Sequence, residues 1–337
     1  MTLCSYILVG IRVERPASNE AAIKYFLLGS FASAVLIYGI SLTYGVTGTT
    51  NFAGIAAALS SHGTGSNLLP LAAIGLVTAG LAFKVAAVPL HAWAPDAYQG
   101  ASAPVAAFLS AGSKAIGLAA IGRVCLAAYG SEAHVWSVVL AWLAGLSIAV
   151  GSILALSQTD MKRLLAYSSI SHAGYALLGL VAGTDAGAAA TMTYAFFYVF
   201  MTLGTFGVVA ALGKRGENLD GYRGLAAQRP GIALLMLLFL MSLTGIPPTA
   251  GFAAKFVVIL SAVRAGYVPL AVLAVACSVV SAFFYMRVAV LMYMNAPQEP
   301  APLPFPRAVY AALAVAALVT LIGGISPGSL ARWAVSP

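Results

Sequence analysis

Nine apolar runs, each long enough to cross a lipid bilayer, set the strongest limit on how this chain can fold. A helix needs about 20 apolar residues to span the hydrocarbon core. Inside the bilayer, backbone N–H and C=O groups must bond to one another, so such runs form helices. The runs lie at approximately 21–45, 68–90, 103–128, 134–156, 164–183, 187–212, 230–262, 267–294 and 307–325, after a half-length run at about 2–11. The sequence therefore predicts an all-α, polytopic transmembrane helical bundle.

The composition supports a membrane protein and excludes a soluble one. Charged residues make up 8% of the 337 residues and hydrophobic residues 61%, whereas soluble domains carry about 25% charged residues. We expect a single membrane domain over residues 1–337, with about nine full transmembrane helices and an N-terminal half-helix. The net charge of +8 fits basic loops on one membrane face better than nucleic-acid binding.

Basic residues are distributed unequally between the two predicted faces of the membrane. Counted from the half-length run, the odd-numbered loops lie near 12–20, 91–102, 157–163, 213–229 and 295–306, and we call their side the odd face. The odd loops and their flanks hold nine of the 17 Lys and Arg residues: Arg12, Arg15, Lys162, Arg163, Lys214, Arg215, Arg223, Arg229 and Arg307. The opposite, even face and the C-terminal tail hold three: Arg123, Arg264 and Arg332. Because basic loops stay inside the cell, we expect the odd face in the cytoplasm.

Four lysines lie within apolar runs: Lys24, Lys84, Lys114 and Lys255. Placing a lysine at the centre of a membrane helix costs roughly 2.5–3.5 kcal/mol, and all nine acidic residues lie in loops or at the ends of runs. Either these amines are largely neutral, or another chain supplies their partners, or part of this chain is missing. Lys114 is about 15 Å along its run, close to the bilayer centre. Lys24 is near the odd face, where its side chain could simply extend to the membrane surface, and this is as plausible as a functional role.

Two of the lysines lie beside helix-breaking residues, and this arrangement suggests an internal repeat. Lys84 precedes Pro89 in the second full run, whereas Gly245-Ile246-Pro247-Pro248 precedes Lys255 in the seventh. The two runs are five apart, so they cross the membrane in opposite directions. Reversed order on reversed helices is typical of inverted-topology repeats. The sequence therefore predicts inverted repeats and two broken helices.

His172, in a serine-rich stretch early in the fifth full run, is the other candidate for chemistry. Histidine titrates near neutral pH and can relay protons, although a histidine bonded to a neighbouring helix explains the residue equally well. A desolvated lysine can gain or lose a proton when a nearby charge changes. A row of such lysines at mid-depth, joined by histidine and water, therefore predicts a proton path. The sequence contains no phosphate loop, dinucleotide fingerprint, haem motif or cysteine cluster, so we expect no cofactor on this chain.

Four stretches resemble the antiporter-like membrane subunits of respiratory complex I, the proton-translocating NADH–quinone oxidoreductase. They are residues 18–29 (SNEAAIKYFLLG), 83–100 (FKVAAVPLHAWAPDAYQG), 158–172 (QTDMKRLLAYSSISH) and 245–255 (GIPPTAGFAAK). The third pattern is similar across the antiporter-like subunits. The pattern over residues 98–105 resembles the N-type branch of that family.

The resemblance implies a fourteen-helix subunit with two inverted five-helix repeats. Lys84 then matches the central lysine of the first half-channel, Lys114 the connecting lysine and Lys255 the lysine on the broken helix of the second half. Lys24 matches the lysine of the family's corresponding early helix. The family also carries a glutamate just before the position of Met1, and it pairs with the first-half lysine. Because that glutamate and four preceding helices are absent from this sequence, we expect a truncated or mis-started chain.

The function that the resemblance implies is coupling of quinone reduction to proton pumping through these lysines. The expected partners are other membrane subunits of complex I, the lipid bilayer and protons. Quinone, flavin and iron–sulfur clusters are then expected on other subunits, and the expected location is the bacterial inner membrane. Two alternatives stay open. One is a subunit of a multisubunit cation/proton antiporter, and the other is a structural subunit that conducts nothing.

Overall fold

The computed structural model describes residues 2–62, 68–297 and 307–326, which form helices and one isolated β-bridge but no β-strand. The first helices are α1 (Thr2–Val9), α2 (Pro16–Thr47), α3 (Phe52–His62), α4 (Leu68–Val85) and α5 (Trp93–Gly100). Next, α6 (Ala103–Phe108) and α7 (Lys114–Arg123) are joined by a π-helical turn at Leu109–Ser113 and form one span, Ala103–Ala128. The others are α8 (Ala133–Leu156), α9 (Met161–Val181), α10 (Asp185–Leu212), α11 (Leu225–Gln228), α12 (Pro230–Thr244), α13 (Ala250–Arg264), α14 (Val268–Met294) and α15 (Arg307–Ile325). The predicted all-α class is confirmed.

The membrane spans follow the predicted apolar runs. In the described ranges, eight helical segments are long and apolar enough to cross a membrane. A ninth predicted run is occupied by α12 and α13, which are 15 residues each. The half-length run corresponds to α1. By contrast, α3 is absent from the sequence-based prediction because its 11 residues are too few to span a bilayer.

The first break begins earlier than the sequence predicts. Helix α4 ends at Val85, one residue after Lys84, rather than near Pro89. Ala86 has a φ of 57°, a left-handed conformation that is costly for a residue with a side chain. Beyond it, the Val88 N–H donates to Ser147 Oγ at 2.8 Å, so α8 holds the interrupted segment.

The second break lies where the sequence predicts it. Helix α12 ends at Thr244, and Gly245 closes it with a φ of 91°, a conformation that suits glycine. Lys84 precedes its break by one turn or less, whereas Lys255 lies in the second turn of the helix after the other break. The two broken spans thus place their lysines in reversed chain order, as an inverted repeat requires.

Helix α9 forms the centre of the bundle, because nearly all of its residues are buried. Glycines allow its close packing against α8. A Cβ atom on Gly151 would lie 2.6 Å from the Ser171 backbone N, and one on Gly174 would lie 2.7 Å from the Ala144 carbonyl O. Such distances exclude a side chain at either position. The core helix is therefore surrounded by protein rather than lipid.

The loops assemble at two opposite ends, as the span count predicts. At the odd face, Asp96 in α5 binds Lys24 from α2 and Arg163 from α9. At the even face, Thr43 Oγ1 and Tyr129 OH lie 2.8 Å apart and join the other end of α2 to the end of the Ala103–Ala128 span. The odd-face residues thus contact one another, as do the even-face residues. This agrees with successive spans crossing the membrane in alternating directions, on which the predicted orientation depends.

Candidate functional site

Lys114 is enclosed at the centre of the bundle. The side chain is 1% exposed and directly follows the π-helical turn that joins α6 to α7. Its Nζ donates to the Ser169 carbonyl O at 2.7 Å and to Ser169 Oγ at 2.9 Å. Both acceptors are neutral. π-Helical turns occur frequently at functional sites, where they shift the side chains that follow them. Ser102 occupies the N-cap position of this span, and its side chain makes no capping hydrogen bond.

Lys255 is buried at the second helix break. Its Nζ donates to the Thr244 carbonyl O at 2.8 Å and to Ser278 Oγ at 3.0 Å. Thr244 is the last residue of α12, so the amine lies at the negative end of that helix dipole. The Nζ atom also lies 4.5 Å from the centroid of the Tyr175 ring, whose π-face attracts a cation.

His172 lies between these two lysines on α9. Ser169, which binds Lys114, precedes it by three residues, and Tyr175, which lies against Lys255, follows it by three. Residues three apart share a helix face, and the three positions cover about 9 Å of the axis. The same helix therefore contacts both buried lysines, one on each side of His172 along the axis.

Two tyrosines hold the imidazole of His172. Nδ1 lies 2.6 Å from Tyr194 OH, and Nε2 lies 3.3 Å from Tyr285 OH. Tyr285 OH is in turn hydrogen-bonded to Ser168 Oγ. Each hydroxyl can both donate and accept a hydrogen bond, and so can a neutral imidazole. The cluster can therefore pass a proton by exchanging donors and acceptors.

Lys84 lies beside the same region from α4. A Cβ on Gly117 would be 3.6 Å from Lys84 Cγ, so the lysine stem packs against α7 one turn beyond Lys114. Lys84 Nζ is enclosed and, within the part of the chain that is described, has no hydrogen-bond partner. The structure thus brings Lys84, Lys114, His172 and Lys255 together in one interior region.

Lys24 is located elsewhere. Its side chain is 47% exposed at the odd face, where Nζ lies 2.7 Å from Glu20 Oε1 and 3.0 Å from Asp96 Oδ2. Burial raises the pKa of Asp96, but hydrogen bonds and charges from Lys24 and Arg163 outweigh that effect and keep the pKa below its usual value. Lys24 therefore belongs to a surface ion-pair cluster and is separate from the interior row.

Some buried polar residues escape prediction from the sequence. Lys162 counts as a loop residue by its position, yet it is 1% exposed and donates to the Gln99 and Ala101 carbonyls at 2.7 and 2.9 Å. Tyr194 and Tyr285 carry no sequence signal, because the spacing from His172 reveals neither contact. The position of Lys162, two residues after the capping residue Asp160, is the one sequence hint that this lysine is held by the protein.

The fold and the site define a class of protein: a polytopic membrane bundle whose interior carries ionisable side chains shielded from lipid. The described residues include no group of three His, Cys, Asp or Glu that could hold a metal ion. What the interior offers is a set of amines, an imidazole and hydroxyls, all of which exchange protons.

A family model described as NADH:quinone oxidoreductase/Mrp antiporter, TM, matches residues 1–283. NADH-quinone oxidoreductase subunit N from Desulfovibrio desulfuricans is 48% identical, and the match covers 99% of this chain and 70% of the relative. NADH-quinone oxidoreductase subunit N 2 from Rhizobium meliloti is 47% identical, with coverages of 99% and 70%. The chain belongs to the NADH:quinone oxidoreductase/Mrp antiporter family of membrane subunits. It is a multi-pass protein of the bacterial inner membrane.

Solved structures agree with this assignment. A chain of respiratory complex I from Thermus thermophilus with bound aureothin is 37% identical and superposes with a TM-score of 0.84, covering 98% of this chain and 72% of that one. A chain of the Mrp complex from Dietzia sp. DQ12-45-1b gives a TM-score of 0.86 at 24% identity, covering 98% and 70%. At that lower identity the likeness establishes the fold alone.

Proposed function

We propose that this chain is a proton-translocating membrane subunit of NADH–quinone oxidoreductase, in which quinone reduction elsewhere in the complex drives protons through Lys84, Lys114, His172 and Lys255. The observation that carries the proposal is that one helix, α9, contacts both buried lysines and places His172 between them. The high identity to subunit N of complex I supports the same function.

In this scheme Lys114 and Lys255 can release and regain protons because their hydrogen-bond partners are uncharged and do not fix the amines in the charged form. Lys114 is held by a carbonyl and a hydroxyl of Ser169, and Lys255 by the Thr244 carbonyl and Ser278. Two hydrogen bonds to a charged group contribute about 3–6 kcal/mol, and the cost of burying an ion is also several kcal/mol. Since these quantities are of the same size, a charge arriving nearby can decide whether the amine keeps its proton.

The rest of the catalytic machinery belongs to other chains in this proposal. Other membrane subunits of complex I are the partners, and the quinone site, flavin and iron–sulfur clusters lie outside this chain. The energy that drives proton movement therefore reaches Lys84, Lys114 and Lys255 from a neighbouring subunit. Lys24 contributes at the odd face, where its ion pair with Asp96 connects α2 to α5.

The test is Lys114→Met in the assembled complex, with Arg123→Met as the control. Both residues lie on α7, but Arg123 is exposed whereas Lys114 is buried. Methionine fills a similar volume, and because both partners of Lys114 are neutral, the change leaves no uncompensated buried charge. We expect Lys114→Met to lower proton uptake per electron in inverted vesicles while the complex stays assembled, and the control to match the wild type.

The same vesicles separate the proposal from its two alternatives. Unchanged proton uptake per electron in Lys114→Met would contradict the role assigned to this lysine and favour a structural subunit. Sodium-dependent proton exchange in vesicles that contain the chain but show no quinone reductase activity would favour a cation/proton antiporter.

A further inference from the structure

A basic cavity opens at the odd face, away from the lysine row. It has a volume of about 730 Å³ and lies between the loop after α1, the start of α6 and the end of α10. Three bases and two acids line it: Arg12, Arg15, Lys214, Glu14 and Glu217. The positive charges thus outnumber the negative ones, and the arginines offer planar groups that suit a phosphate.

Glu217 does not neutralise this cavity. Its Oε1 lies 3.2 Å from Arg15, 3.4 Å from the buried Lys162 and 3.9 Å from Arg12, so three cations share one carboxylate. Lys214 stands exposed at the rim. The cavity therefore retains positive charge on a face where the sequence already concentrates basic residues.

An apolar groove continues from the cavity into the membrane. It has a volume of about 640 Å³ and shares Pro104 and Ala210 with the basic cavity. Side chains of α6, α10 and α15 line it, and none of them is charged. Its floor is the close contact of α10 with α15, where a Cβ on Gly207 would lie 2.9 Å from Leu313. Leu203 and Val315 are exposed along it.

The depth of the groove corresponds to one leaflet of a bilayer. Its lining runs along α10 from Ala210 to Phe200 and along α15 from Ala308 to Ala316. At 1.5 Å per residue these stretches descend about 15 Å and 12 Å. Half of a hydrocarbon core is about 15 Å. A polar head at the interface and an apolar chain reaching the midplane would fill both cavities.

We propose that the basic cavity and the apolar groove form a binding site for one anionic phospholipid of the odd-face leaflet. Arg12, Arg15 and Lys214 bind its phosphate, and one acyl chain lies in the groove between α10 and α15. Charge complementarity selects this occupant, because basic pockets between transmembrane helices on the cytoplasmic side attract anionic headgroups. An apolar helix from another polypeptide would fill the groove but would leave the basic cavity without a ligand.

The experiment uses the assembled complex in nanodiscs that contain a phosphatidylglycerol analogue with a photoreactive acyl chain. We expect saturable crosslinks to peptides of α10 and α15, competed by unlabelled phosphatidylglycerol but not by phosphatidylcholine. The double variant Arg12→Gln/Lys214→Gln is expected to weaken competition by about thirtyfold, since each base near an anionic headgroup contributes about fivefold. The control Arg223→Gln/Arg264→Gln removes two bases elsewhere and should behave as the wild type.

A second variant pair tests the groove independently of charge. Ala312 and Ala314 are both exposed on α15, but only Ala312 lines the groove. We expect Ala312→Trp to abolish the crosslinks and Ala314→Trp to retain them. The proposal is overturned if phosphatidylcholine competes equally, if the charge variant binds normally, or if no lipid crosslink forms because a polypeptide covers the groove. None of these readouts depends on proton pumping, so the two proposals can fail separately.

Discussion

Lys114 and Lys255 obtain their hydrogen-bond acceptors in different ways. Lys114 uses one serine for both of its acceptors, whereas Lys255 uses the end of a broken helix and the face of Tyr175. Lys84 Nζ has no hydrogen-bond partner among the residues described. In the described ranges, none of these three amines forms an ion pair with a carboxylate, which leaves each one responsive to charges that arrive from outside.

Asp96 is the opposite case, a carboxylate with two cations. Its Oδ1 lies 2.7 Å from Arg163 Nη1 and its Oδ2 3.0 Å from Lys24 Nζ. Because Asp96 is about one-third exposed, solvent weakens these pairs, and we expect Asp96→Asn to lower the stability of the assembled subunit by only about 1 kcal/mol. Asp220→Asn, which removes a more exposed pair with Arg223, should have a smaller effect. The thermal midpoints of the two variants and the wild type provide the measurement.

The stability difference between the wild type and Asp96→Asn should depend on pH in a defined direction. The pKa of Asp96 is lowered in the folded protein, so the carboxylate stabilises the fold above its unfolded value of about 3.9. This contribution is lost only as the pH falls through the lower, folded pKa. The stability gap between the wild type and Asp96→Asn should therefore stay constant from about pH 8 to 5 and close below about pH 4. A gap that changes near neutral pH would show that Asp96 is not held in its charged form.

At the scale of the element, α9 is both the central helix of the bundle and the helix that contacts Lys114 and Lys255. Ser169 and Tyr175 contact the buried lysines, while Gly174 and Gly151 of α8 bring the two backbones together. A displacement of α9 would therefore move the partners of Lys114 and Lys255 at the same time. Packing and proton transfer depend on the same helix.

Gly151→Ala tests this dependence. The new methyl group would lie 2.6 Å from the Ser171 N and 2.8 Å from the Tyr167 O, both backbone atoms, so α8 and α9 must separate. We expect a loss of about 1–3 kcal/mol in stability and a lower proton uptake per electron. Gly75→Ala, in α4 with open space around it, should be neutral or slightly stabilising because alanine favours helices. Equal thermal midpoints for the two variants would show that the α8–α9 contact tolerates a side chain.

The sequence predicts those features that depend on local chemistry. The eight spans of the described ranges follow from apolar length, and both breaks follow from proline and glycine beside a lysine. The sequence misplaces the start of the first break, because α4 ends at Val85, just before the left-handed Ala86, rather than near Pro89. Contacts between distant residues are not predictable in this way. Tyr285 is 113 positions from His172, and no periodicity connects them.

At the scale of the whole molecule, the two faces differ in charge, and this difference predicts a fixed orientation in the membrane. The ion pairs of Asp96 and Glu217 connect four of the odd loops into one surface. Nine basic residues lie in the odd loops and their flanks, so the positive-inside rule places this surface in the cytoplasm. The same orientation places the proposed lipid site in the cytoplasmic leaflet.

Cysteine labelling tests this orientation directly. Lys214→Cys lies exposed at the odd face and Arg264→Cys exposed at the even face, and Cys4→Ser removes the exposed native thiol in both. In inverted vesicles, where the cytoplasmic side faces outward, a membrane-impermeant maleimide should label Lys214→Cys but not Arg264→Cys. In right-side-out vesicles or spheroplasts the pattern should reverse, since each face then meets the reagent from the other side. Labelling of Arg264→Cys in inverted vesicles would mean that the odd face lies outside. The basic cavity would then face the outer leaflet, and protons taken up from the cytoplasm would enter the lysine row from the even face.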